Sequence, residues 1–265
     1  YRGLNDPVID ISLTPNRIDA GGVYGIARDL AAAGLGKMKT LPKQPVPGSY
    51  DSPVTVTIKN TEACPLFMGR YIRGVKNGPS PKWLQDYLTA IGSRPISALV
   101  DITNYICLSL NRPLHVFDAD KLNGNITVRM AKEGEKFTDL KGIERALDDR
   151  VIVVCDAKAP QAMGGVMGGM HSGCTEGTVN VFVESALFNP SIIRRTGQKY
   201  GIDSDAKYRF ERGIDPTSCD DGIEIATRMI LDICGGEASY TTMAGAQPEW
   251  TRTYVFDTNM TKTLG

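Results

Sequence analysis

The stretch of residues 94–122 constrains the fold more than any other part of the chain. Its sequence, RPISALVDITNYICLSLNRPLHVFDADKL, places arginine, asparagine, aspartate and one of only two histidines within an apolar run. Buried polar groups need hydrogen-bond partners, so such a run must fold around a polar feature. The apolar spacing predicts a helix that Asp101 caps and that Pro113 stops.

Strand-like and helical patterns mix along the rest of the chain. Alternating or continuous apolar runs predict strands at 7–13, 54–58, 66–75, 126–130, 151–155 and 178–188, and the last of these carries Glu184 just past its apolar part. Helical spacing with end signals predicts helices that end at Gly34 and lie at 80–92, 190–200 and 219–234. Asn189 and Pro190 open the helix at 190–200, and Gly201 ends it. Because these elements follow no strict βαβ order, we expect an α+β (mixed α/β) fold with mixed or antiparallel sheets packed by helices.

The first two helices have recognisable starts. We expect Asp19 to cap the first helix and Ser80 to cap the second. The second helix has an apolar face of Trp83, Leu84, Tyr87, Leu88 and Ile91. This spacing favours a position of its aromatic residues in the hydrophobic core over a platform on which RNA bases stack.

A proline-rich segment divides the chain. Residues 37–53 contain four prolines and no apolar period, which predicts a linker. Because neither end resembles a natural terminus, we expect a fragment of a longer polypeptide. Residues 1–36 are then the end of a preceding domain, 54–246 the main domain, and 247–265 the start of a following one.

Charge and cysteine content narrow the classes of function. Lys plus Arg number 30 and Asp plus Glu number 30, so the chain lacks the net positive charge that is typical of a duplex-DNA-binding domain. RNA binding is still open, because a local basic patch is enough for it. Six irregularly spaced cysteines without a CxxC pair predict free thiols and a cytoplasmic location. No apolar run approaches about 18 residues, so we expect no membrane span.

The glycine-rich segment 164–173 and the histidines invite interpretations of function that the pattern alone leaves open. The segment lacks the features of a P-loop or a dinucleotide fingerprint, so it is either a tight turn or a place where a ligand approaches the backbone. His171 and Cys174 form only one metal-ligand pair, and we predict no metal site. His115 has no accompanying nucleophile motif, which favours a structural role.

Several long motifs, taken together, resemble those of the bacterial-type phenylalanyl-tRNA synthetase beta-subunit family. The resemblance covers essentially the whole chain and rests on VDITNY (100–105), RPLHVFDADKL (112–122), GGVMGG (164–169), RRTG (194–197) and YRFERGIDP (208–216). It implies that residues 54–246 are the editing domain, which hydrolyses tyrosine wrongly esterified to tRNA(Phe). The alternative is a non-catalytic module that braces the enzyme and positions tRNA.

The resemblance also implies partners and cofactors. The complete enzyme joins phenylalanine to tRNA(Phe) with ATP and Mg²⁺, and it is a heterotetramer of two alpha and two beta subunits. The synthetic site lies on the alpha subunit, so this fragment is expected to need no cofactor of its own.

Particular side chains match family positions with editing roles. Glu184 is the implied partner of the tyrosine hydroxyl, and His115 and Asn104 are the implied catalytic residues near the ester. The other residues are implied to bind the substrate. Gly165 and Gly168 allow the substrate to approach the backbone closely, and Ala206, with Ser204 nearby, leaves room for the ring. Arg94 holds the tRNA end.

The segment 194–212 carries a modest excess of positive charge, with six basic against three acidic residues. It is either a phosphate-binding face or a solvated face with internal ion pairs, and RFERG (209–213) suggests buried pairs. Asp203 and Lys207 depart from the family pattern, which commonly has a basic residue and a small residue or histidine there. The candidates for tRNA phosphate contacts are Arg194, Arg195, Lys199 and Lys207.

Overall fold

The computed structural model describes residues 7–41, 44–249 and 251–264. The helices, in chain order, are α1 (Val23–Ala32), α2 (Lys82–Ala90), α3 (Ala98–Leu110), α4 (Pro190–Tyr200), α5 (Asp205–Phe210), α6 (Ser218–Cys234) and α7 (Thr261–Leu264). The strands are β1 (Val56–Ile58), β2 (Leu66–Arg73), β3 (His115–Asp118), β4 (Ile126–Met130), β5 (Glu135–Thr138), β6 (Glu144–Leu147), β7 (Ile152–Cys155), β8 (Pro160–Met163), β9 (Met167–Gly168), β10 (Val181–Leu187), β11 (Glu237–Ala238) and β12 (Thr242–Gly245).

Two sheets form the framework of the fold. The first has the strand order β1-β4-β7-β8-β9, in which β1 is parallel to β4 and the other pairs are antiparallel. The second has the order β11-β2-β10-β3 with β12 also paired to β2, and all its pairs are antiparallel. This combination of mixed and antiparallel sheets with helices confirms the predicted α+β class.

The second sheet lies between the first sheet and a layer of helices. On β10, Phe182 and Ala186 belong to the core shared with the first sheet, whereas Val181 and Val183 belong to the core formed with α2, α3 and α6. This separation follows from the two-residue period of a strand. The even-numbered side chains of β10 therefore face the first sheet.

Most predicted strands are present, but two details were wrong. Residues 7–13 are extended and mostly exposed without forming a strand, because apolar alternation makes a strand only where a partner strand pairs with it. Glu184 was expected just after the apolar part of its strand, yet it lies at the middle of β10, where all seven residues are buried.

The predicted start of α4 is confirmed, whereas three other predicted caps are wrong. Asn189 accepts hydrogen bonds from the first backbone N–H groups of α4. Asp19 instead pairs with Arg17 and with Arg28 of α1. The Ser80 hydroxyl donates to Asp101, and Asp101 also accepts from the backbone N–H of Ile96, so neither side chain caps its helix.

The prediction that the aromatic residues of α2 are core residues was wrong. Leu84 and Leu88 are the buried apolar side chains, whereas Trp83, Tyr87 and Ile91 are exposed. Both sets recur every four residues, so helical spacing alone does not choose between two adjacent faces. The second sheet selects the face that carries the leucines.

The part of the proline-rich segment that the structure describes is docked onto the second sheet and α6. Arg70 of β2, almost fully buried, donates to the backbone oxygen of Val46, at 2.5 Å. Glu224 of α6 accepts from the backbone N–H of Val46 and also pairs with Arg70. Pro42 and Lys43 of the predicted linker lie outside the described residues, as do Trp250 and Gly265 of the predicted following domain.

The free thiols agree with the sequence analysis, whereas the ion pairs around RFERG are only partly buried. Arg209 is buried and donates to the backbone oxygen of Gly21 and to the Asp205 carboxylate, but the Asp205 side chain is 70% exposed. Lys207 and Glu211 form a pair in which each side chain is 14% exposed. All six cysteines are free thiols. Among the helices of the described ranges, none has the length and apolar character needed to cross a membrane.

Replacing Asn189 with alanine should lower the free energy of unfolding by about 1 kcal/mol, because the backbone N–H of Ser191 loses its acceptor and that of Ile192 keeps only the backbone oxygen of residue 189. Urea unfolding of the Asn189→Ala variant measures this. Asn189→Asp keeps the acceptor oxygen and should retain most of the stability; equal losses in both variants would contradict the capping role.

Candidate functional site

A cleft opens between the edge of the first sheet, β3, α3 and α5. Its volume is about 370 Å³, which lies within the range of small-molecule sites. Seven of the eight residues predicted as catalytic or substrate-binding line it: Asn104, His115, Gly165, Gly168, Glu184, Ser204 and Ala206. The sequence motifs, which are far apart along the chain, thus meet at one place.

Glu184 and His115 lie directly opposite each other on neighbouring strands. The antiparallel register of β10 and β3 pairs these two residues, so both side chains point to the same face of the sheet. Glu184 is only 6% exposed, and its Oε2 atom has no hydrogen-bond partner. The Nε2 atom of His115 is likewise buried without a partner. The cleft therefore holds one acid and one base with open hydrogen-bonding capacity.

Burial makes both groups neutral near pH 7. Burial raises the pKa of Glu184 to about 8, and the positive charge of Arg112 opposes part of this rise. Burial also lowers the pKa of His115 to about 4. Desolvation penalises the charged form in each case, which moves an acid and a base in opposite directions. The imidazole is therefore an uncharged acceptor or donor at physiological pH.

Two glycines let the backbone approach the cleft closely. A Cβ atom on Gly168 would lie 2.5 Å from Cε1 of His115, so this position needs a glycine for the imidazole to occupy its place. Gly165 has a φ of +68° in the turn between β8 and β9. The glycine-rich segment is therefore a tight turn that also lines the cleft, and the approach of a ligand to its backbone stays a prediction.

The short helix α5 forms another wall of the cleft. Ser204 caps α5 by accepting from the backbone N–H of Lys207, and its hydroxyl donates to the backbone oxygen of Val166, at 2.8 Å. The Ser204 hydroxyl thus ties α5 to the glycine-rich turn. Ala206 follows in the first turn of α5, where its small side chain leaves the cleft open.

The basic candidates do not line the cleft. Arg94 is exposed in the connection between α2 and α3, and Arg194 and Arg195 are exposed on α4. Lys199 donates to Asp148, at 2.6 Å. Lys207 pairs with Glu211, at 3.2 Å.

The two departures from the family pattern contact each other. Asp203 and Lys207 lie four residues apart, with their charged atoms at 3.6 Å. Asp203 is exposed, whereas the Lys207 side chain is only 14% exposed and lies against Gly197 of α4. Because Asp203 is exposed, the ion pair adds little stability. The two unusual residues nevertheless carry opposite charges, so each compensates the charge of the other.

Sequence analysis missed Arg112 and most of the apolar wall. Arg112 lies three residues before His115. The sequence feature that could have identified it is a charged residue directly before a buried strand. Some wall residues lie within the motifs named above, but nothing in those motifs marks them as part of a wall, and Leu140 comes from the loop between β5 and β6. The apolar wall residues are Cys107, Leu114, Leu140, Met163, Met167 and Phe210.

His171 and Cys174 do not form a metal centre with other ligands. Within the ranges that the structure describes, no group of three or more His, Cys, Asp or Glu side chains lies together in a way that would hold a metal ion. His171 is exposed and borders a different depression, near Phe137 and Gln161.

Comparison with known proteins assigns the region that contains the cleft to a family. The B3/4 domain model matches residues 63–235, which include every residue that lines the cleft. The matched region covers more than half of the chain.

Curated relatives are phenylalanine–tRNA ligase beta subunits. That of Paramagnetospirillum magneticum is 53% identical over 98% of this chain and 33% of its own length. That of Rhodospirillum rubrum is 57% identical over 94% of this chain and 32% of its own. These matches confirm the resemblance that the motifs indicate, and the chain spans about a third of the length of these relatives.

A solved N-terminal fragment of the phenylalanyl-tRNA synthetase beta subunit from Pyrococcus horikoshii aligns with 96% of this chain and 70% of that chain, at 18% identity and a TM-score of 0.48.

The protonation of Glu184 should make stability fall as pH rises. Its pKa rises from an ordinary value of 4.5 to about 8 on folding, so between these values the folded state holds a proton that the unfolded chain has released. Relative to Glu184→Gln, the wild-type chain should lose stability by up to about 1.4 kcal/mol per pH unit across this window. Urea unfolding from pH 5 to pH 8 measures the difference.

The matched control is Glu176→Gln, which changes an exposed glutamate. Its difference from the wild type should stay constant over the same pH range. A constant difference for Glu184→Gln would show that the carboxyl group is solvated instead of enclosed.

Proposed function

The chain belongs to the B3/4 domain family, and from this premise we propose that it is the editing part of a phenylalanine–tRNA ligase beta subunit. The reaction is hydrolysis of tyrosine wrongly esterified to tRNA(Phe). The observation that supports this function best is the pairing of Glu184 with His115 in one cleft, each with a buried atom that has no partner.

Glu184 provides a reason to select tyrosine. A pocket for phenylalanine rejects tyrosine poorly, since the two rings differ by one hydroxyl, whereas a site that hydrogen-bonds the hydroxyl rejects the ring that lacks it. A tyrosine ring in the cleft gives the Oε2 atom of Glu184 a hydrogen-bond partner. A phenylalanine ring leaves that buried atom unpaired, which costs about 1–3 kcal/mol or more.

His115 provides a group that orients water at the ester. Its neutral imidazole accepts a hydrogen bond from water through Nε2, and the water oxygen attacks the ester carbonyl. The ester C–O bond then breaks, which releases tyrosine and restores the hydroxyl of the terminal ribose. An aminoacyl ester is already activated, so positioning and water exclusion suffice without a covalent nucleophile. Asn104 supplies amide hydrogen bonds to the ester or ribose.

The remaining surface suits the end of a tRNA. Arg94, Arg194 and Arg195 are exposed and can meet phosphates, although Nε of Arg195 also donates to the backbone oxygen of Ser191. Lys199 and Lys207 are engaged with carboxylates. The complete enzyme, in this proposal, is a cytoplasmic assembly of two alpha and two beta subunits that uses ATP and Mg²⁺ on its alpha subunits.

The test compares the release of tyrosine and phenylalanine from charged tRNA(Phe) by this chain and by the complete ligase. We expect faster release of tyrosine, and we expect His115→Ala to slow this release on the order of 100-fold. The matched control is His171→Ala, which removes the other histidine outside the cleft and should leave the rate unchanged.

Release by the complete ligase but not by the chain alone means that the enzyme must deliver the tRNA end. Absence of release in both preparations contradicts the proposed editing function. It favours the non-catalytic module that positions tRNA.

Removing the carboxyl group of Glu184 should abolish the preference for tyrosine, because neither ring then leaves a buried acceptor unpaired. Sites built this way separate the two rings by about 10⁴-fold or more, and Glu184→Ala should bring the ratio of the two release rates close to one. Asp203→Ala removes an exposed carboxylate at the same cleft and serves as control. Unchanged selectivity in Glu184→Ala would rule out this role.

A further inference from the structure

We infer that Arg112 is a positioning residue for Glu184: its buried guanidinium stabilises the carboxylate form, the form that best separates a ring with a hydroxyl from a ring without one. This inference rests on the proposed function. It concerns a residue that does not itself line the cleft.

Arg112 lies behind the inner wall of the cleft. It is 1% exposed, and its guanidinium donates to the backbone oxygen of Ala186, two residues after Glu184 on β10. It also donates to the Ser218 hydroxyl at the start of α6, at 3.4 Å. The ring centroid of Phe210, which lines the cleft, is 5.8 Å from its guanidinium carbon. The cation therefore lies close to a wall residue of the cleft without lining the cleft itself.

The Arg112 side chain has a fixed path through the protein. A Cβ atom on Gly222 of α6 would lie 2.8 Å from Cγ of Arg112, so the stem passes directly over this glycine. Together with the contacts to Ala186 and Ser218, this packing holds the charge in one place. Because the charge is held in place, the protein does not have to rearrange it when a ligand enters or leaves the cleft.

Arg112 and Glu184 are both buried, and among the described residues no hydrogen bond joins their side chains. Arg112 donates to the Ala186 carbonyl, the Ser218 hydroxyl and the Cys219 thiol instead of a carboxylate. Its Nε atom and the Oε2 atom of Glu184 are both buried without a partner. The positive charge of Arg112 therefore acts on Glu184 through the low-dielectric interior and leaves the carboxyl oxygen open for a ligand.

The ionised form discriminates more strongly between the two rings. A buried carboxylate left without a donor costs more than a buried neutral carboxyl, since the charged group loses more hydration. A tyrosine hydroxyl supplies that donor, and a phenylalanine ring does not. The preference for tyrosine therefore increases with the ionised fraction of Glu184, which increases as pH rises through the pKa of about 8.

The other titratable or charged groups around Glu184 come from every neighbouring element. They are His115 on β3, Cys64 before β2, Cys107 on α3, Cys219 on α6, and Lys141, Asp203 and Asp205 at the cleft. Burial lowers the pKa of His115 and raises that of the three cysteines, so these four groups are uncharged near pH 7. Arg112 is the cation whose charge lowers the pKa of Glu184.

The experiment measures the ratio of tyrosine to phenylalanine release from tRNA(Phe) by the complete ligase between pH 6 and pH 9, with spontaneous hydrolysis subtracted. In the wild type the ratio should rise with pH. Arg112→Gln keeps a donor for Ala186 but removes the charge, and the midpoint of its curve should move to higher pH. A midpoint that lies one pH unit higher lowers the ratio at pH 7 about tenfold.

Two variants control for the loss of a buried arginine. Arg112→Lys retains the charge and should keep the wild-type midpoint. Arg70→Gln removes an equally buried arginine that pairs with Glu224 away from the cleft, and its curve should not move. A purely structural role of Arg112 would lower both release rates without moving the midpoint.

A wild-type ratio that does not change with pH, or an unchanged midpoint in Arg112→Gln, overturns the inference. If Arg112→Gln fails to fold, Arg112→Lys decides, because a midpoint that moves to higher pH despite the retained charge contradicts the electrostatic role. Failure of the wild-type ligase to release tyrosine contradicts the proposed function itself. Release of tyrosine with identical curves in all variants contradicts only the role of Arg112.

Discussion

The pairing of β10 between β2 and β3 is the constraint on which the rest of the structure depends. Every residue of β10 is buried, and the two-residue period assigns its side chains alternately to the helices and to the first sheet. Glu184 shares the face of Phe182 and Ala186, so its carboxyl group meets the space beside the first sheet. A slip of one residue would place Val183 there and bury the carboxyl group among the helices.

The protonation states of the cleft residues follow from their burial and not from a network of ion pairs. Removing water from an acid and from a base makes both neutral, so Glu184 and His115 coexist on neighbouring strands without forming a salt bridge. Each retains a buried atom with no partner. Such atoms are rare in proteins because they cost free energy. Here the cost is consistent with a site that gains stability when a ligand supplies the missing hydrogen bonds.

The sequence was most informative where structure depends on neighbours along the chain. Asn189, Pro190 and Gly201 fix the ends of α4 through local backbone geometry, and the sequence analysis placed them correctly. The exposed face of α2 and the extended residues 7–13 depend on distant partners, which periodicity does not report. The resemblance to a family supplied the site residues, but the cross-strand register that joins Glu184 to His115 and the position of Arg112 came only from the three-dimensional structure.

The docked proline-rich segment has a consequence for how this unit can be cut from a longer polypeptide. Its backbone at Val46 supplies an acceptor to the buried guanidinium of Arg70 and a donor to Glu224. A recombinant boundary at residue 54, the predicted start of the main domain, would remove both contacts, although Arg70 and Glu224 would still pair with each other. The guanidinium nitrogen that loses its acceptor would cost about 1–3 kcal/mol if it stayed unsatisfied. An excisable unit should therefore start before Val46, in the region that the proline content alone marks as dispensable.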